Sequence, residues 1–199
     1  MSDEATRLLQ ELESQWRREG APVAGLLAPG LSDAQIDELV EPLGIVLPEE
    51  LRVWWRWHNG LAEKPDEHQR GSIGPGDWHP MSLREARDRY LQEPHRKDWP
   101  DGDLYWRDAW FPFANLSNDV LFVDTSRIDP RGDAAPVRIR KWFGWEGYDV
   151  DIAPSLAVVL ATWVRALREG YYWWDRDEGV WHDRIAEAPI DLIETRLIG

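Results

Sequence analysis

The chain has 199 residues, 43% hydrophobic and 30% charged, with a net charge of −14 from 37 acidic and 23 basic side chains. That composition is globular and sufficient for one sizeable core, and its acidity argues against direct binding to phosphate backbones. With no cysteine, disulfides, thiolate nucleophiles and cysteine metal sites are excluded. The charge is spread rather than gathered in a tail: 19 acidic against 12 basic residues in the first hundred and 18 against 11 in the rest, −7 in each half.

The N-terminus, MSDEATRLLQELESQWRREG, has no basic segment followed by an apolar run and is not a signal peptide. Instead Ala5, Leu8, Leu9, Leu12 and Trp16 recur at helical spacing and predict a helix over 3–19, closed by Gly20 and Pro22. A second helix is expected over 33–41, with a Ser32–Gln35 capping box and a Leu31–Ile36 staple. In LPEELRVWWRWHNG, residues 47–60, Pro48 suits the first helical position and Glu49 and Glu50 suit the positive end of the dipole. Asn59-Gly60 then reads as the C-terminal cap. Leu47, Leu51, Trp54 and Trp55 share the buried face of this helix, whereas Trp57 and His58 point elsewhere.

Residues 61–80 read as a polar loop rich in turn chemistry, and Ser82 with Glu85 opens a helix to about Leu91. Residues 92–108 form a second irregular stretch that mixes charge with Trp99, Tyr105 and Trp106, the kind of long loop that often carries function. The period then changes to two: strands are expected over 110–114, 120–123 and 137–142. The tripeptide Arg131-Gly132-Asp133 falls in a connecting turn. The strongest helix, 155–168, lines its buried side with Leu156, Val159, Leu160, Trp163, Val164 and Leu167. YYWWDRDEGVWH, residues 171–182, predicts two short strands around an acidic turn, and an apolar tail follows from Ala186. Helices first, then a meander, then one long helix reads as α+β, with helices packed on a mainly antiparallel twisted sheet.

Taken in order, Leu47, Pro48, Leu51, Trp55, Asn59 and Gly60, then Trp110, Pro112, Phe113, Asp119 and Asp124, resemble the SUKH superfamily, Smi/Knr type, over residues 31–170. The resemblance implies a single α+β domain over 1–199, with 1–30 as an N-terminal helix and 171–199 as a hairpin and tail. It also implies a protein-binding role, since bacterial members are mostly immunity proteins that neutralise toxins and fungal relatives are regulatory scaffolds. The absence of a signal peptide and of a bilayer-spanning apolar stretch leads us to expect a cytoplasmic location. The tryptophan load, the 92–108 segment and the tail after 183 depart from the family pattern.

No chemistry competes with that expectation. GSIGPG lacks the lysine and helix of a phosphate loop, no HExxH occurs, and no GxSxG context presents a nucleophile. His68, His79 and His95 with Asp77 or Asp98 are more economically isolated side chains than a metal site. Pairs such as Asp101/Asp103 or Asp149/Asp151 are expected by chance among 37 acids. A non-enzymatic module without metal or cofactor is therefore expected, its partner a cognate toxin domain, with a basic nuclease the natural fit to negative charge. A regulatory scaffold and a carbohydrate binder are the alternatives. The partner-binding candidates are Trp57, Trp78, Trp99, Asp101, Asp103, Trp106, Glu146, Asp149, Asp175, Asp177 and Glu178, chosen as aromatics and acids expected on irregular segments.

Overall fold

Helix α1, Ser2–Glu19, turns its apolar stripe inward, and Ala5, Leu8, Leu9, Leu12 and Trp16 are all buried. The computed structural model describes residues 2–63, 68–75, 77–92, 106–116, 119–140 and 150–189. A short helix α2, Val23–Leu26, leads into strand β1, Leu27–Pro29. Helix α3, Asp33–Val40, carries the expected capping box, with Ser32 and Gln35 satisfying each other's backbone N–H.

Helix α4, Glu49–Trp57, differs from the sequence reading at both ends. Pro48 is the N-cap rather than the first helical residue. A proline cap has no side-chain acceptor, so the first N–H groups, of Glu49 and Glu50, donate to the carbonyls of Gly132 and Asp133 at 2.9 Å each. The RGD tripeptide is thus a structural turn docked on a helix end, with Gly132 at φ +79°. At the far end the chain passes directly into strand β2, His58–Leu61, which pairs antiparallel with β1. The Asn-Gly pair therefore serves a different helix. Asn59 accepts the Leu83 N–H at 2.8 Å, at the start of helix α5, Leu83–Gln92. Gly60 sits at φ +75° where an added Cβ would lie 2.5 Å from the Ser82 nitrogen.

The expectation of a polar loop over 61–80 fails for its second half. Ser72 and Ile73 are fully buried, and Gly74 lies so close to the Trp163 indole that a Cβ would come within 2.6 Å. Ser72 and Tyr172 meet at 3.3 Å, and the Tyr172 hydroxyl donates to Asp77 at 3.1 Å. Turn-forming residues were the correct signal for an irregular backbone but not for exposure, because small residues also permit close packing.

A five-stranded antiparallel sheet runs in the order β3 (His79–Pro80), β4 (Trp110–Leu116), β5 (Asp119–Asp124), β6 (Val137–Arg140), β7 (Val150–Ala153). Strands β1, β2, β3 and β7 were not read from the sequence. Alternation gives the sheet two apolar faces. Phe111, Phe113, Leu121, Val123, Val137, Ile139 and Ile152 join the main core under the helices, whereas Trp110, Val120 and Phe122 form a smaller cluster with Trp106 on the other side. Arg138 is buried beside this cluster, 5.2 Å over the Trp110 ring and 3.1 Å from Asp151. Helix α6, Leu156–Arg168, packs its six expected apolar residues inward against α1 and α4 and is capped by Ser155, which accepts the Val158 N–H. A hairpin of β8 (Tyr172–Asp175) and β9 (Val180–Asp183) follows. The fold is α+β, as expected.

Candidate functional site: the acidic tip of the C-terminal hairpin

The hairpin separates its side chains by period two. Tyr172, Trp174 and Trp181 face the core, with Tyr172 stacked on Trp181 at 4.4 Å and Trp174 meeting the same indole edge-on at 5.4 Å. On the opposite face, Trp173 and its cross-strand partner His182 stack at 5.5 Å, both half-buried.

The connecting turn, Arg176 to Gly179, is held by its first acid. Asp175 accepts the backbone N–H groups of Glu178 and Asp177 at 3.0 and 2.8 Å, which holds its carboxyl below the usual range. Gly179 supplies the positive φ of +72° that closes the turn. Arg176 reaches away from the hairpin to donate to the Glu19 and Arg18 carbonyls at 2.7 and 2.6 Å, satisfying orphan groups at the end of α1. It lies over Gly20, where a Cβ would come 2.5 Å from its Nε. The tip is therefore braced by α1, with Asp177 and Glu178 exposed in the turn beside the Trp173–His182 pair. His182 and Glu178 meet at 3.0 Å. Among the described residues, ligand atoms of Asp175, Glu178 and His182 come within 4.8 Å of one another. The donor set suits a divalent cation, but exposed groups of this kind need no ion to be stable.

The expected site residues divide three ways. Asp175, Asp177 and Glu178 come together at this tip. Trp78 (3% exposed) and Trp106 (fully buried) are core residues and present no surface to a partner, a correction to the sequence reading. Irregular backbone on either side of each had suggested exposure, but the 71–81 segment and the second face of the sheet enclose them. Trp57 is half-buried and committed internally: its indole donates to Glu13 at 3.2 Å and packs 5.9 Å from Trp16 and 5.7 Å from Trp54. His58 completes that junction, donating to the Ala28 carbonyl at 2.7 Å. Burial works to raise the Glu13 carboxyl, but hydrogen bonds from Arg17 and Trp57 outweigh it and hold the group low. Trp99, Asp101, Asp103, Glu146 and Asp149 lie outside the described residues, as do His95 and Asp98. Trp173, His182 and Arg176 were not singled out from sequence. Alternation within YYWWDRDEGVWH carried the signal for the first two, since Trp173 is out of phase with the buried Tyr172 and Trp174.

The sequence profile of the SMI1 / KNR4 family (SUKH-1) matches residues 30–162, more than half of the chain. The chain belongs to this family. The resemblance carried by LPEEL, by Asn59-Gly60 and by Trp110 to Asp124 is thereby shown, and with it the immunity- or regulator-type class of module. No curated protein matches the chain significantly. Among the described residues no helix is long and apolar enough to cross a membrane. Both α1 and the β8–β9 hairpin lie outside the matched region, so the braced acidic tip is built on segments that the family match does not cover.

Proposed function

We propose that this SUKH protein is a non-enzymatic, cytoplasmic protein-binding module, an immunity protein that neutralises a toxin domain with a basic surface. The observation that carries this reading is the hairpin tip: the exposed turn acids Asp177 and Glu178 beside a stacked Trp173–His182 pair, with Glu178 reaching His182 at 3.0 Å and the turn held in place by the Arg176 brace. An indole supplies anchoring area with few rotamers to lose, and surrounding negative charge accelerates encounter with a basic partner. A nuclease domain fits because its cleft must be cationic to hold phosphate.

The test is a binding and protection assay against toxin C-terminal domains encoded beside this gene. The expected result is a salt-sensitive complex that Trp173→Ala weakens by about tenfold or more, and that Asp177→Asn with Glu178→Gln weakens chiefly through slower association. Absence of any complex at low ionic strength, with the gene standing apart from toxin genes, removes the toxin reading in favour of a regulatory scaffold.

A further inference from the structure

A second surface of opposite character lies between α1 and α6. The two helices pack side by side and leave a groove of about 430 Å³ over the buried Leu8 and Val164, with Ala161 exposed along it. Three guanidiniums border it: Arg7 from α1, and Arg165 and Arg168 from α6. Two carboxylates accompany them, so the groove carries a net positive charge on a chain of net charge −14.

The internal contacts show what these arginines hold. Glu11 gives one oxygen to Arg7 at 3.0 Å and the other to Arg168 at 3.2 Å, so a single carboxylate bridges guanidiniums from both helices. Arg165 pairs with Glu169 at 2.9 Å. Arg7 and Arg168 nevertheless remain 61% exposed, and each reaches Glu11 through one Nη1. A guanidinium offers five donors in a planar fork, so further N–H groups on both side chains face solvent along the groove. The bridging carboxylate is the chemistry an incoming ligand must supply, placed beside apolar side chains that meet Ala161 and the arginine stems.

We propose that the α1–α6 groove is a second protein-docking surface, taking an acidic amphipathic segment of a partner polypeptide. Such a segment sets its apolar stripe against exposed Ala161 and the aliphatic stems of the bordering arginines while its carboxylates join Glu11 on Arg7 and Arg168, a helix-in-groove mode of recognition. A cationic groove and an anionic tip on one chain make it a connector between partners of opposite charge.

The probe is a fluorescein-labelled synthetic peptide of leucines at helical spacing with glutamate elsewhere, followed by anisotropy at low salt, with its glutamine-for-glutamate counterpart as control. Binding is expected for the acidic peptide alone, lost on raising salt and weakened at least about tenfold by Arg7→Gln with Arg168→Gln, both exposed positions. Glu11→Gln is the sharper variant. It frees two guanidiniums, so it is expected to tighten peptide binding a few-fold, a gain that general loss of folding does not produce. Asp177→Asn with Glu178→Gln leaves peptide binding unchanged, separating this surface from the hairpin tip. Equal binding of both peptides, or binding indifferent to the arginine and Glu11 variants, overturns the proposal. Concentration-dependent dimerisation that Arg7→Gln with Arg168→Gln abolishes replaces the partner segment with a second copy of this chain.

Discussion

The chain uses tryptophan in two opposite ways, in helix α4 and in the β8–β9 hairpin. Helix α4 is nine residues long and enclosed by α1, α3, α6 and the sheet, so Trp54 and Trp55 are fully buried and even Trp57, off the main face, is taken up by α1. The hairpin has one face against the core and one toward solvent, so Trp174 and Trp181 are buried while Trp173 remains half-exposed. Tryptophan itself does not say whether it fills a core or recognises a partner. The number of covered faces decides.

The largest expected effect breaks the helix side of this contrast. Trp54→Ala removes an indole that meets Phe113 edge-on at 5.4 Å, and about 3–5 kcal/mol of stability should disappear in urea unfolding. Trp173→Ala should cost less than about 1 kcal/mol in the same measurement, because its face is uncovered, while impairing partner binding. Comparable destabilisation by the two variants would collapse the distinction between the regions.

A smaller, pH-dependent effect concerns the other end of α4. Glu50 is 1% exposed and accepts the Ala157 N–H at 3.3 Å at the start of α6; burial pushes its carboxyl up to about 7, against the hydrogen bonds from that helix end. The folded pKa lies above the ordinary 4.5, so the folded state binds the proton more tightly. The resulting stability is complete below pH 4.5 and declines as pH rises to about 7. Between pH 5 and 8 the protein should lose about 2 kcal/mol relative to Glu50→Gln in paired urea titrations. Parallel curves for the two proteins would show the carboxyl is not protonated in the folded state.

The smallest effect sharpens the hairpin side. Arg176→Ala removes two exposed hydrogen bonds to the end of α1 and should cost about 1 kcal/mol or less in stability. Hydrogen exchange at the turn amides of Asp177 and Glu178 should accelerate all the same, because the brace to α1 is lost.

Elements whose boundaries are set by local chemistry were legible in the chain: the Ser32 and Ser82 capping boxes, the α1 and α6 stripes, and the alternation of β4, β5 and the hairpin. The short strands β1, β2, β3 and β7 were not, because two to four residues carry too little pattern and pair only once distant partners arrive. Asn59-Gly60 misled for the same reason. The pair suits a helix end, and only the approach of Ser82 and Leu83 reveals that it serves the next helix.

Of the expected site, only the acids of one turn could be placed, since Asp175, Asp177 and Glu178 are joined by a hairpin that local pattern encodes. Trp78 and Trp106 could not be assigned, because burial depends on what covers a residue from elsewhere in the chain. Composition and periodicity alone determined the acidic balance and the α+β class, properties of neighbouring residues or of the total, while the ordered motif residues from Leu47 to Asp124 carried the family resemblance. Which indoles stay accessible, which arginines line one groove and which carboxyl is driven toward neutrality were decided in three dimensions, where residues as distant in sequence as Glu11 and Arg168, or Glu50 and Ala157, set each other's environment.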